Sequence, residues 1–456
     1  MTFQCRAICM LMSICLVTIF VEPTFAEDWT RFRGANAAGM SAKAAPVDWS
    51  PEKNIKWNAE LPGAGVSCPI VIGDKVVVTC YSGYGIERRK PGDIEDLKRH
   101  VVCLERESGK ILWNRTIKNE AEEDRYSGMG VPEHGYASNT PVSDGKAIYA
   151  FLGKSGMYAY DLDGKELWHT SLGTESDDRR WGSASSPILH KDMVIVPAIC
   201  EAGALVALKK EDGSEVWKQE AGGLRGSWST PLITKVDDER SDLVMGVSNE
   251  VWGLNPDNGK LRWFLPVEGS SFFTSMMEKE GVIYGAIGGR RGGGSFAVKA
   301  GGDDDVSKTH KVWDSPDQSS YASPVVHNDM MFFVSGGVVN AIDAKTGERV
   351  KRARLKAPAA ESESSDEDNE GGRTRRRRGG GRNSDYSSPV IAGDKMYYVK
   401  RNGEMHIIST DKELKQIAVN FVTKESEEFS ATPAISDGQI FIRSNKRLYC
   451  VEEAKK

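Results

Sequence analysis

The sequence predicts an all-β fold, namely an eight-bladed β-propeller of four-stranded antiparallel blades whose ring is closed by an N-terminal strand. Three observations predict it. A Ser/Thr-Pro-apolar element recurs along the chain, apolar segments and turns repeat in one order after each copy, and Trp residues recur at one place in that order. Tandem four-stranded units with a period of roughly 40 to 50 residues are typical of propeller blades.

The recurring element marks the start of each blade. Three of the intervals between its prolines are 44 or 46 residues, and the interval of 93 residues from Pro231 to Pro324 accommodates two units, with Met276 in place of the missing proline. Intervals of 72 and 65 residues indicate insertions. The residues that precede the proline position are Cys68, Thr140, Ser186, Thr230, Ser275, Ser323, Ser388 and Thr432.

Each unit reads as four strands separated by turns rich in Gly, Asp and Asn, residues that tolerate positive φ. We expect a Trp at the end of the fourth strand, where its ring fills the wedge between neighbouring blades. The last unit lacks a fourth strand, and residues 54–57 supply it, which removes two open sheet edges. These structural tryptophans are Trp57, Trp113, Trp168, Trp217, Trp263 and Trp313.

The first 26 residues have the form of a signal peptide. Arg6 precedes an apolar stretch, residues 7–21, that is shorter than the roughly 20 residues of a spanning helix, and small residues precede the expected cut after Ala26. We therefore expect an exported chain, periplasmic or secreted, in which residues 27–456 form one propeller domain without a transmembrane anchor. A net charge of −5 argues against general nucleic-acid binding.

Two insertions interrupt the repeats. Residues 84–100, in the first blade, are charged but contain Ile86, Ile94 and Leu97, which favours a short helix over one face. Residues 361–383, between the sixth and seventh blades, combine an acidic run with an Arg-rich run and are predicted to be disordered. This second insertion is either a solvated loop or a tether for polyanions.

Five cysteines remain after the predicted cut, without a metal-binding spacing. If Tyr81 pairs with Val102 across the second and third strands of the first blade, then Cys80 faces Cys103 and one disulfide results. A slip of one residue would instead place the two thiols on opposite faces of the sheet.

The hairpin that runs from Asp161 through Gly164 and Lys165 to Trp168 resembles the tryptophan-docking motif of pyrroloquinoline-quinone (PQQ)-like repeat proteins. The resemblance covers nearly the whole mature chain, and residues 28–34 resemble the start of secreted bacterial propellers of this class. It implies two branches: dehydrogenases of alcohols or sugars that depend on PQQ and calcium, and non-enzymatic scaffolds similar to the assembly factor BamB.

The sequence carries no catalytic signature. Its seven histidines have no metal-binding spacing, no nucleophile elbow is present, and the adjacent cysteine pair of the quinone enzymes is missing. We therefore predict no catalytic residue, no metal site and no cofactor. PQQ and calcium enter only under the alternative of a dehydrogenase with a divergent site.

Aromatic residues and a few cations cluster shortly before the prolines, in loops that surround one mouth of the central channel. Aromatic faces with nearby cations suit an extended glycan, a peptide or a planar ligand, although packing between blades would also use such residues. We therefore expect a binding or scaffold protein for a protein or polysaccharide partner. The ligand-binding candidates are His134, Tyr136, Arg180, Trp181, Arg225, Trp228, Phe273, Tyr321 and Tyr386.

Overall fold

Eight β-sheets are arranged as propeller blades in the structure, a computed structural model that describes residues 27–269, 271–288, 292–358 and 384–454. The predicted signal peptide and the insertion 361–383 lie outside the described residues. Two strands precede the first blade, namely β1 (Met40–Ser41) and β2 (Ile55–Glu60). The prediction of an eight-bladed propeller is confirmed.

The first four blades follow one another along the chain. Blade 1 contains β3 (Ile70–Ile72), β4 (Lys75–Ser82), β5 (Lys98–Glu105) and β6 (Ile111–Lys118). Blade 2 contains β7 (Val142–Ser143), β8 (Ala147–Phe151), β9 (Met157–Asp161) and β10 (Glu166–Thr170). Blade 3 contains β11 (Ile188–His190), β12 (Met193–Ala198), β13 (Ala204–Lys209) and β14 (Glu215–Glu220). Blade 4 contains β15 (Leu232–Lys235), β16 (Ser241–Val247), β17 (Glu250–Leu254) and β18 (Leu261–Pro266).

The remaining blades use the same order with two additions. Blade 5 contains β19 (Met277–Lys279), β20 (Val282–Ile287), β21 (Gly294–Lys299) and β23 (Lys311–Ser315), and the intervening β22 (Asp304–Asp305) pairs with β18 of blade 4. Blade 6 contains β24 (Val325–His327), β25 (Met330–Ser335), β26 (Val338–Asp343) and β27 (Arg349–Arg354). Blade 7 contains β28 (Val390–Ala392), β29 (Lys395–Val399), β30 (Met405–Ser409) and β31 (Gln416–Asn420), joined by β1.

Blade 8 closes the ring as the sequence predicts. It contains β32 (Ala434–Ser436), β33 (Gln439–Arg443) and β34 (Arg447–Val451), and β2 from the N-terminal region pairs with β34 as the fourth strand. The helices are short, and no helix among the described residues is long and apolar enough to cross a membrane. They are α1 (Val131–His134), α2 (Ile199–Ala202) and the 3-10 helices Ala35–Ala37, Ile94–Asp96, Gly153–Ser155 and Gly222–Leu224.

Burial follows the position of a strand within its blade. The inner strands are buried on both faces, as in β4, because each blade packs between two neighbours. The outermost strands expose most of their residues, as in β6, where Trp113 is the one buried residue of eight. The apolar core therefore consists of layers between adjacent blades.

The hydroxyl residues before the prolines form a belt of hydrogen bonds around the channel. Seven backbone N–H groups each donate to the side-chain oxygen of the equivalent residue in the next blade, at 2.9 to 3.0 Å. The Thr432 backbone hydrogen-bonds the Cys68 sulfur and completes the circle. The eight residues of this hydroxyl belt are Cys68, Thr140, Ser186, Thr230, Ser275, Ser323, Ser388 and Thr432.

Five of the six structural tryptophans connect neighbouring blades. Each donates its Nε1–H to a backbone carbonyl of the next blade at 2.8 to 3.1 Å, and its ring lies against a glycine of that blade. The predicted position within the strand is wrong, because each Trp is the third residue of its strand and not the last. A Trp at the start of the strand lies level with the turn of the next blade.

Trp263 is an exception to the expected packing between blades. Its Nε1–H donates to Asp242 Oδ2 of the same blade at 2.7 Å, and its ring lies over Gly253 on the neighbouring strand. β22 pairs in parallel with the outer side of β18, at Trp263 and Phe264. The insertion in blade 5 therefore covers the edge of blade 4.

The structure contradicts the predicted disulfide between Cys80 and Cys103, since both cysteines are free and buried. The register of β4 and β5 places Cys80 opposite His100, and Cys103 opposite Val77. This register differs from the expected one by three residues, and an odd offset places the two thiols on opposite faces of the sheet. The helix predicted within residues 84–100 is a single 3-10 turn, and β5 already begins at Lys98.

Candidate functional site

Five of the predicted aromatic residues meet at the mouth of the channel where the first strands begin. Trp181, Trp228, Phe273, Tyr321 and Tyr386 come from the loops that enter blades 3 to 7, and we call them the aromatic arc. Consecutive ring centroids lie 4.7 to 5.6 Å apart, and Trp181 also lies 6.0 Å from Phe273. Four of the rings are only partly buried, so the arc presents aromatic surface to solvent.

The cation on the arc is Arg179, which the sequence interpretation did not include. Its guanidinium carbon lies 5.1 Å from the ring centroid of Trp181 and 5.7 Å from that of Trp228, within the range of cation–π attraction. The neighbouring Arg180 adopts a positive φ of 53° and is exposed. Arg225 is also exposed, and its guanidinium lies 3.5 Å from the carboxylate of Glu175.

His134 and Tyr136 lie beside the arc, not within it. His134 Nε2 is 2.7 Å from the backbone oxygen of Trp181, and its Nδ1 is 2.6 Å from Ser138 Oγ, so the imidazole supports the loop that carries Trp181. Tyr136 is buried and donates its hydroxyl to the Asp124 carbonyl at 2.6 Å. Its ring packs against those of Tyr81, Tyr84 and Tyr126 at the blade 1 side of the mouth.

A charged rim faces the open side of the arc. Glu133, in α1, accepts hydrogen bonds from Arg401 of blade 7 at 2.7 Å and from Arg88 at 3.0 Å, and Arg401 also pairs with Glu428 at 2.8 Å. Although burial opposes ionisation, the two arginines hold the pKa of Glu133 below its ordinary value. α1 is thereby fixed across the mouth between blades 1 and 7.

A polar pocket of about 20 Å³ adjoins the arc at Gly182, next to Trp181. Its charged lining comes from three blades. Arg99, in β5, pairs with Glu123 at 2.6 Å, while Lys154, in the loop between β8 and β9, donates to the Glu122 carbonyl and to Ser176 Oγ, each at 2.8 Å. These pairs are buried, so their geometry is fixed by packing.

Glu201 is a buried carboxyl group in this pocket with one oxygen that lacks a hydrogen-bond partner. It lies in α2, between β12 and β13, with 2% of its surface exposed, and its Oε2 atom has no hydrogen-bond partner. Burial raises the pKa of Glu201 to about 7, against a smaller opposing effect of a hydrogen bond with Ser183. A carboxyl group in this state can donate or accept one hydrogen bond at neutral pH.

The Gly182 carbonyl links the pocket to the arc. It accepts hydrogen bonds from Trp228 Nε1 at 2.8 Å and from the Cys200 thiol at 3.2 Å. Burial raises the pKa of Cys200 well above its ordinary value, so this thiol is not an activated nucleophile. Within the described ranges, no group of three or more His, Cys, Asp or Glu residues is placed to hold a metal ion.

The fold and the mouth define an eight-bladed propeller with a cluster of aromatic residues at one end of its channel. Comparison with known proteins is consistent with this class. A family model described as "Outer membrane protein assembly factor BamB" matches residues 94–229 and 229–353, which together are more than half of the chain. The chain therefore belongs to this family of PQQ-like propellers.

Individual relatives are distant. The chain is 25% identical to a polyvinylalcohol dehydrogenase from a Pseudomonas species over 263 residues, which are 47% of this chain and 36% of that relative. BamB from Moraxella catarrhalis has a similar fold, with a TM-score of 0.57 at 14% identity over 88% of this chain and 98% of that one. The computationally designed Ika8 protein gives a TM-score of 0.52 at 10% identity over 86% of this chain and 98% of its own.

Proposed function

We propose that this chain is an exported binding scaffold that holds an extended polypeptide at the aromatic arc and does not catalyse a reaction. The observation that carries the proposal is the arc itself, in which rings from five consecutive blades are in contact and four of them remain partly exposed. Aromatic surface of this kind is stabilised when a partner covers it.

Three features support a polypeptide as the partner. Trp, Tyr and Arg are the residues that contribute most to the energy of protein–protein interfaces, and the arc with Arg179 consists largely of them. The charged rim of Arg88, Glu133, Arg401 and Glu428 would orient a partner that carries charges of its own. The family description refers to an assembly factor for outer membrane proteins.

The proposal places the chain in the periplasm or outside the cell. It rests on the signal-peptide pattern of residues 1–26, which the sequence alone supplies. The partner would then be a protein segment that is still unfolded or extended when it meets the mouth, because an extended segment can place successive side chains along the row of aromatic rings.

A PQQ-dependent dehydrogenase is the second candidate, favoured by the match to a polyvinylalcohol dehydrogenase. The residues present do not fit a calcium-bound quinone. The described part of the chain holds no cluster of three or more His, Cys, Asp or Glu side chains that could bind a metal ion, and its five free cysteines are all separated in sequence. We expect no thermal stabilisation when PQQ and Ca²⁺ are added together, and a rise in melting temperature would favour the enzyme.

The binding proposal is tested with purified protein on a microarray of synthetic extended peptides of varied aromatic content and of neutral oligosaccharides. We expect peptide binding that weakens by about tenfold or more in the double variant Trp181→Ala/Phe273→Ala. Leu167→Ala, which removes a partly exposed side chain on the outer strand of blade 2, is the matched control and should bind normally. Binding of oligosaccharides alone, or peptide binding that the double variant retains, would overturn the proposal.

A further inference from the structure

The N-terminal segment crosses the end of the channel opposite to the aromatic arc. Trp29 pairs with Val71 of blade 1, Ser143 N of blade 2 donates to the Thr30 carbonyl at 2.9 Å, and Ile391 N of blade 7 donates to the Gly39 carbonyl at 2.8 Å. These contacts lie on the first strands, beyond the hydroxyl belt. Residues 29–39 therefore cover one end of the channel, while the arc lies at the other.

Two arginines of this segment extend into the channel. Arg31 Nη2 donates to the Pro231 carbonyl at 3.1 Å, and Arg33 Nη2 donates to the Pro324 carbonyl. Pro231 and Pro324 directly follow two residues of the hydroxyl belt, so both guanidinium groups lie near the level of the belt. Arg33 has no solvent-exposed surface.

Neither arginine has a carboxylate partner among the ion pairs of the described residues. Arg31 Nε and both Nε and Nη1 of Arg33 are buried without any hydrogen-bond partner. Burial lowers the pKa of Arg33 to about 9, with a smaller contribution from the charge of Arg31, and burial also lowers the pKa of Arg31 to about 10. Both side chains are nonetheless cations at neutral pH.

The Cys68 thiol does not neutralise these cations. Cys68 interacts electrostatically with Arg33, but burial raises the pKa of its thiol, which therefore stays uncharged at neutral pH. Two like charges without a counterion inside a protein are costly, and proteins ordinarily compensate buried charges with a partner. None of the ion pairs of residues 27–269, 271–288, 292–358 and 384–454 supplies the missing partner.

We propose that Arg31 and Arg33 form a binding site for a small inorganic anion of the chloride type inside the channel. The free N–H groups of Arg33 are donors suited to such an anion. Little space remains between Gly39 and the Arg33 guanidinium, because a Cβ atom added to Gly39 would lie 2.9 Å from Arg33 Nη2. Since the N-terminal segment covers the adjacent end of the channel, a larger organic anion has no evident route to the arginines from that end.

The anion would connect the N-terminal segment to the blades. Its binding requires the folded arrangement of residues 29–39 across the channel, so it stabilises the folded state in proportion to its concentration. This inference concerns the opposite end of the channel from the aromatic arc and is independent of the proposed binding function.

Crystals of the full chain grown or soaked in bromide test the site directly. We expect an anomalous difference peak within hydrogen-bonding distance of the guanidinium groups of Arg31 and Arg33. Ordered water at that position, without an anomalous signal, would show that the arginines are solvated and would overturn the proposal.

A second measurement replaces gluconate by chloride at constant ionic strength and records the melting temperature. We expect an increase of about 5 °C for the wild-type chain, and a much smaller one for Arg33→Gln. Arg354→Gln, at an exposed position of β27, is the control and should respond like the wild type. An equal response of Arg33→Gln would contradict the site, and if that variant does not fold, the bromide experiment decides.

Discussion

At the scale of single residues, burial of Glu201 couples the folded state to pH near neutrality. The folded carboxyl has a pKa of about 7, compared with 4.5 for an unperturbed group. Its contribution to stability is fully present below about pH 4.5 and is lost as the pH rises through about 7, because the unfolded chain releases this proton earlier. The pocket next to the aromatic arc is therefore more stable under mildly acidic conditions.

The variant Glu201→Gln tests this coupling. Between pH 5 and pH 8 we expect the free energy of unfolding of the wild-type chain to fall by up to about 3 kcal/mol because of this group. The variant should not show this decrease. Urea unfolding at a series of pH values measures the difference between the two chains. Glu166→Gln, at an exposed position of β10, should leave the pH profile unchanged. Parallel profiles for the wild type and Glu201→Gln would show that this carboxyl is already ionised in the folded state.

Thr230 tests the hydroxyl belt. Its Oγ1 accepts from Ser186 N at 3.0 Å, and its own N–H donates to Ser275 Oγ at 2.9 Å. We expect Thr230→Val to lower the free energy of unfolding by about 1 to 3 kcal/mol, because the buried Ser186 N–H loses its acceptor. Thr230→Ser retains the hydroxyl and should cost clearly less, so equal losses in urea unfolding would argue against the belt as a source of stability.

The sequence predicts the site only in part at this scale. The location of Trp181, Phe273 and Tyr386 shortly before the proline position was enough to predict that they lie together, because equivalent residues of successive blades face the same mouth. The polar pocket was missed, because Arg99, Lys154 and Glu201 lie in or just after the connections between the second and third strands of three blades, and these connections share no sequence motif. The sequence predicted Arg180 as the cation of the arc instead of its neighbour Arg179, since the positive φ of Arg180 cannot be read from the sequence.

At the scale of structural elements, the contact between a Trp and the turn of the next blade is the recurring interaction that connects neighbouring blades. The Trp168 ring lies against Gly213 in the turn between β13 and β14 of blade 3, and its Nε1–H donates to the Lys210 carbonyl at 2.8 Å. Gly213 has a φ of 72°, and an added Cβ would lie 2.5 Å from the ring. The turn therefore needs glycine for both its backbone and its contact with the ring.

Two glycine variants separate these requirements. Gly145, in the turn between β7 and β8, has a similar φ of 82° but open space around it. We expect Gly145→Ala to cost about 1 kcal/mol from backbone strain alone, and Gly213→Ala to cost roughly 2 kcal/mol more because the ring must move. Chemical denaturation of both variants gives the comparison. Similar losses would indicate that the Trp168 ring yields easily.

The sequence predicts elements better than it predicts registers. Turn residues and apolar runs located the strands of blade 1, but an error of three residues in the pairing of β4 with β5 produced the false disulfide. Register depends on how far the hairpin remains paired, here out to Ser82 and Lys98, and the charged composition of residues 84–100 does not reveal that length. The different contacts of Trp263 could likewise not be predicted, because β22, which pairs with its strand, belongs to no repeat.

At the scale of the whole molecule, the ring has two different ends. Closure by β2 and β34 was predictable. The last repeat lacks a fourth strand, and the strand near the N-terminus belongs to no other repeat. The path of residues 29–39 across the channel was not, because this segment has no repeat and is held by individual contacts, through its backbone to blades 1, 2 and 7 and through Arg31 and Arg33 to blades 4 and 6. One end is thus covered by the chain itself, whereas the other presents the aromatic arc.

Site-specific photocrosslinking of the mouth tests most directly whether the aromatic arc is the binding surface. The photoreactive amino acid benzoylphenylalanine is placed at Phe273 in one chain and at Leu167 in another, and each is irradiated with an extended peptide that binds the wild type. We predict a crosslink from position 273, mapped by mass spectrometry to aromatic or apolar peptide residues, and none from position 167. Equal crosslinking from both positions, or crosslinking from position 167 alone, would contradict the aromatic arc as the binding surface.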